Sequence, residues 1–156
     1  MHRAWRSASY LQFLDKQPLV EQNLFRSASL QNDVIPSFEE ARALLPEPFW
    51  NGHEAAIECW WKAWELAWHN IRPATPENGF IRTYIDTAFN GNLFLWDSVF
   101  ILLFGRYGSR AFNFQQTLDN FYALQHDDGF ICRELRPFAN QNDLFYPHDP
   151  ASTGPN

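Results

Sequence analysis

The chain has 156 residues, 46% of them hydrophobic and 19% charged, with a formal net charge of -6. That size suits one folded domain, and the apolar content excludes an intrinsically disordered chain. The acidic balance and the scattered basic residues exclude an electrostatic footprint for nucleic acid or for anionic lipid, so neither is an expected partner.

Aromatic residues reach 17%, with seven Trp and fifteen Phe, enough to fill a core or to line a pocket for apolar or sugar faces. Cys59 and Cys132 form neither a disulfide framework nor a zinc motif, and a reducing compartment is expected. Near the start, Arg3 and Arg6 are not followed by a continuous apolar run, because Ser7, Ser9 and Gln12 interrupt it. No stretch reaches membrane-spanning length, and the expected location is the cytoplasm.

Residues 1–50 read as an irregular lead-in broken by Pro18, Pro36, Pro46 and Pro48. One short helix is predicted over 37–45, opened by Ser37 and Glu40 as a capping box. The clearest helix is predicted over 51–70, with Asn51 as its cap and Glu54, Glu58, Lys62, Glu65 and His69 as its polar stripe; Glu58 and Lys62 are spaced to pair. Its apolar face, through Ile57, Trp60, Trp61, Trp64, Ala67 and Trp68, is so wide that the helix should be largely buried.

An ordered loop rich in Asn and Gly is expected between 73 and 95. Residues 97–107 read as a helix apolar all round and stopped by Gly108 as a left-handed cap, with a strand as the competing reading for so short a run. Ser109 then caps a second helix to 125, with Ala111, Phe114, Leu118, Phe121 and Tyr122 inward and Asn113, Gln116 and Asn120 outward. Together these make an αα-hairpin with one fully buried member. A turn at 126–129 leads to an extended segment over 130–135. Residues 136–156, with Pro137, Pro147, Pro150 and Pro155, show no periodicity, and the chain is expected to end inside a loop that leads onward.

Two stretches carry candidate chemistry. The first holds Asn92, Phe94, Trp96 and Asp97 where the loop meets the apolar helix. Asp97 near a helix N-terminus is in its simplest reading a cap; in the functional reading its carboxylate accepts hydrogen bonds from sugar hydroxyls while Trp96 or Phe94 packs on the ring. The second holds Asp128, Arg133 and Glu134, in its simplest reading a glycine turn beside a surface ion pair. The five histidines form no HExxH or Cys/His cluster, and no nucleophile elbow, phosphate loop or dinucleotide fingerprint is present, so no metal or other cofactor is expected.

The motif Tyr84-Ile85-Asp86-Thr87-Ala88-Phe89-Asn90-Gly91-Asn92 through Trp96-Asp97-Ser98 resembles bacterial six-hairpin glycosidases, relatives of trehalase and of the processing α-glucosidases. The same resemblance continues at Leu118-Asp119-Asn120-Phe121-Tyr122 and at Asp128-Gly129-Phe130-Ile131-Cys132-Arg133-Glu134. It implies an all-α fold, an (α/α)6 toroid that hydrolyses O-glycosidic bonds, commonly with inversion. It also implies that Trp96 and Asp97 line the sugar pocket and that residues 128–134 border it.

In that family the general acid and base lie further along the chain than residue 156, so no catalytic residue is expected here. Residues 51–156 then read as a partial toroid truncated at its C-terminal end, about two of six hairpins. The expected partners are a carbohydrate and either the missing C-terminal half or a second copy, through apolar helix faces. The alternative is a noncatalytic carbohydrate-binding or self-associating half-barrel. A sugar epimerase on a similar barrel would need paired histidines that the sequence does not offer.

Overall fold

The computed structural model describes residues 18–86, 91–127 and 129–136. After short 3-10 turns at Pro18–Gln22 and Leu24–Ser27 come α1 (Phe38–Arg42), α2 (Glu54–His69), β1 (Ile71–Arg72), β2 (Tyr84–Ile85), β3 (Leu93–Phe94), α3 (Leu95–Gly105), α4 (Thr117–Ala123) and β4 (Glu134–Leu135). β1 pairs antiparallel with β2 and β3 with β4. The chain is therefore mixed α/β, which corrects the all-α expectation. A partial (α/α)6 toroid is not what these elements form. Two physical causes separate the expectation from the fold. The Asn- and Gly-rich connection contributes paired strands as well as loop, and Asn113, at φ -81 and ψ 81, breaks the helix predicted over 109–125 so that only Thr117–Ala123 is α-helical.

α1 forms where the sequence places a capping box. The Ser37 hydroxyl accepts from the Glu40 N–H at 3.2 Å, and the Glu40 carboxylate accepts from the Ser37 N–H at 2.8 Å. The backbone and side-chain donors of Ser37 hold the Glu40 carboxyl below its usual value. α2 starts later than predicted. Asn51 and Gly52, the latter at φ 76, belong to a turn, and His53 is the N-cap without a side-chain cap bond. On its polar stripe Lys62 pairs with Glu65 at 2.8 Å, not with Glu58.

Only Trp64, Ala67 and Trp68 of α2 are buried, so the largely buried helix expected from its wide apolar face is not found. Those three sit at the spacing of one helical face. They pack with Ala41, Leu45, Ile71, Ile85, Phe112 and Phe114 into a first core cluster, and the Trp68 indole donates to the Pro36 carbonyl at 3.0 Å. A second cluster joins Ala74, Phe80, Tyr84, Leu93, Phe121, Cys132 and Leu135. β2 links the two, because neighbouring strand residues face opposite ways: Ile85 enters the first cluster and Tyr84 the second.

α3 is apolar as predicted, but it is not the fully buried member of a hairpin. Ser98 and Gly105 are its buried residues, while Trp96, Phe100 and Leu103 are exposed. Gly108 does not take a left-handed cap conformation; it lies in the 3-10 turn Arg106–Gly108, packed against Trp64 and Leu45.

The outward assignment of Gln116 and Asn120 also fails: both are buried, and Tyr122, predicted inward, is exposed. The Asn120 amide oxygen accepts from the N–H groups of Ile81 and Arg82 at 2.9 and 3.0 Å, and its amide nitrogen donates to the Arg82 carbonyl at 3.2 Å. Thr117 adds a hydroxyl that accepts from the Ile85 N–H at 3.1 Å. α4 thus satisfies the free edge of residues 81–85 with side chains, where a further strand would use backbone.

Asn32 and Asn78 play similar parts around the connection that follows β1. Asn32 exchanges two hydrogen bonds of 2.8 Å with the Ala74 backbone, and the buried Asn78 accepts from Thr75 and Phe80 N–H groups. Tyr84, beside this network, has its phenol pushed up to about 12, first by burial and then by the negative charge of Asp86. The unfolded phenol titrates near 10, so Tyr84 contributes stability that is complete below pH 10 and is lost as pH rises towards 12. Denaturation midpoints at pH 9 and pH 12 should therefore fall less in Tyr84→Phe than in the wild-type chain. Equal falls would show that the phenol ionises equally well in both states.

Candidate functional site

β3 and β4 bring the two candidate stretches side by side. Leu93 is opposite Leu135 and Phe94 opposite Glu134, and the Leu95 N–H donates to the Arg133 carbonyl at 2.8 Å to continue the pairing into α3. Leu93 and Leu135 point into the second core cluster and anchor the ladder there. Their neighbours Phe94 and Glu134 must then face the other way, towards the edge where the strand gives way to the helix.

At that edge the Asn92 amide donates to the Glu134 carboxylate at 2.5 Å, and the Arg136 guanidinium lies 3.6 Å from the same oxygen. Glu134 is buried, so its charge depends on these partners for compensation. The surface ion pair expected between Arg133 and Glu134 is not the arrangement: Arg133 is exposed, and Arg136, two residues beyond Glu134 on the extended segment, is the basic partner. The sequence reading missed Arg136; the period-two spacing of Glu134 and Arg136 on an extended segment is the signal that could have found it.

Asp97 is the third residue of α3 and half-buried; Phe94 holds the N-cap position, with extended backbone and no side-chain cap bond. Asp97 is therefore not the cap, but it remains in the first turn, where unpaired N–H groups and the helix dipole favour a negative charge. Trp96 is 74% exposed and its ring lies 5.1 Å from that of Phe100. Asp128 lies outside the described residues. The Gly129 N–H donates to the His126 carbonyl at 2.9 Å, with Gly129 at a φ of 93.

No protein-family model matches the chain, and no curated protein or solved structure matches it significantly.

A contact that sequence reasoning passed over is that of Cys132 Sγ with His126 Nε2 at 3.2 Å. Cys132 is buried in the second core cluster, so the pair ties the 126–129 turn to the core and is not presented to a substrate. Among the described residues no group of three or more His, Cys, Asp or Glu is placed to hold a metal ion, and no helix is long and apolar enough to cross a membrane.

The arrangement provides an exposed indole face, a carboxylate at a helix N-terminus and an amide–carboxylate–guanidinium row along one edge. Carboxylate and amide groups can exchange hydrogen bonds with hydroxyl groups, while an indole covers a C–H face.

Proposed function

We propose that this chain supplies the carbohydrate-binding part of a glycoside hydrolase. The observation that carries the reading is the β3–β4 ladder with its Asn92–Glu134 hydrogen bond, which pairs the strand leading into Trp96 and Asp97 with the strand that holds Glu134 although the two stretches are some forty residues apart in sequence. The resemblance of the same two stretches to six-hairpin glycosidases supports the hydrolase assignment. In this reading Trp96 packs against the apolar face of a sugar ring, and Asp97 accepts hydrogen bonds from its hydroxyls. Asn92 and Arg136 hold the Glu134 carboxylate in place on the neighbouring strand.

Recognition and not bond cleavage is the activity assigned to these residues, so the chain alone should bind sugar without hydrolysing glycosides. Its two free thiols, Cys59 exposed among them, favour a reducing compartment such as the cytoplasm. The test is calorimetric titration with α-glucosides, trehalose and mannosides. Asp97→Asn should weaken binding about tenfold, the loss of one charge-assisted hydrogen bond, with the unfolding transition unchanged. Equal affinity in wild type and Asp97→Asn would remove Asp97 from the site.

A further inference from the structure

The outer side of α3 and of the 3-10 turn after it carries Trp96, Val99, Phe100, Leu103, Phe104 and Tyr107, all exposed, with Phe104 at the margin where its ring also meets Trp64. Intervals of three and four residues place them on one continuous stripe that runs the length of the helix. Trp96 is 74% exposed and the other five are between 39% and 56%. With about 150–250 Å2 for each aromatic side chain, and somewhat less for Val and Leu, the uncovered apolar surface is roughly 600 Å2, the upper end of what a monomer carries.

We propose that this stripe is the contact between two copies of the chain, packed antiparallel about a two-fold axis. Three observations favour a second copy as the occupant. The area is close to the roughly 800 Å2 that each partner contributes to a stable interface, so one further stripe of the same size covers it. Its composition, four aromatics in six residues with no charge among them, is that of an interface centre. The flanks also tolerate the two-fold. Asp97 and Arg106 lie on opposite edges of the stripe, and an antiparallel two-fold brings each edge against itself with its ends exchanged. Asp97 therefore meets the Phe104 end of its partner's edge and not a second Asp97.

Trp96 ends the stripe and is also the ring of the proposed sugar site, so association and sugar binding compete for it, whereas Leu103, in the middle of the stripe, is no part of that site. Light scattering of the purified full chain across micromolar concentrations tests it. The wild type should reach the mass of a dimer, and Leu103→Glu should weaken association at least about thirtyfold, the effect of an interface centre, with an unchanged far-ultraviolet circular dichroism spectrum. If Leu103→Glu does not fold, Val99→Lys at the half-exposed side of the stripe makes the same comparison. A wild type that stays monomeric, or an association that survives the substitution undiminished, overturns the proposal.

Discussion

Gly108→Ala is expected to destabilise the chain by about 2–3 kcal/mol, at the upper end of the cost of overpacking a core with a single methyl group. A Cβ at this position would lie 2.8 Å from two ring carbons of Trp64 and 3.0 Å from a methyl of Leu45. Trp64 cannot easily yield. It is buried, its ring is 5.2 Å from Phe104 and 6.1 Å from Phe114, and it sits between Trp60 and Trp68 on its own helix. Dense packing of this kind converts a small displacement into strain across several rings. Gly108 has no positive φ, so the cost is one of space and not of backbone conformation. Urea denaturation measures it; a midpoint within error of wild type would mean that α2 and the turn after α3 can separate without loss.

Asn120→Leu should cost as much or more, about 3 kcal/mol, because it leaves two part-buried backbone N–H groups without their acceptor and removes a donor from a carbonyl. Those groups belong to Ile81 and Arg82, on the segment that leads into β2. Leucine is close to asparagine in size, so a cavity is not the cause. Asn120→Asp separates the terms: it keeps an acceptor for both N–H groups but loses the amide donor and brings a charge into a fully buried position. A destabilisation in Asn120→Leu no larger than that of an average surface substitution would show that residues 81–85 do not depend on α4 for their hydrogen bonds.

These two positions also show what the sequence could and could not reveal. Local chemistry was legible. The capping box at Ser37 and Glu40 forms as spaced, α2 occupies most of its predicted span, and the 126–129 turn closes on Gly129. Positions whose role depends on a distant element were misread. Gly108 after an apolar helix looks like a stop signal, and its close approach to Trp64 depends on a residue 44 positions earlier. Helical periodicity turns Asn120 outward, because a helical wheel has no term for an amide that substitutes for a strand.

The two-residue strands were equally hidden, since a pair of residues carries no period to detect, and with them went the all-α expectation. Each half of the candidate site was visible as a cluster of polar and aromatic residues in sequence. Their contact was not, because it is made by the pairing of Phe94 with Glu134.

The most direct test of the account is a nuclear magnetic resonance titration of the labelled chain with maltose, trehalose and mannose at millimolar concentrations. The signals to follow are the Trp96 indole N–H and the Asn92 side-chain amide, assigned with Trp96→Phe and Asn92→Asp. The account predicts that one of these sugars moves both signals together, with a shared affinity that Asp97→Asn weakens. A folded chain in which no sugar moves either signal would contradict it.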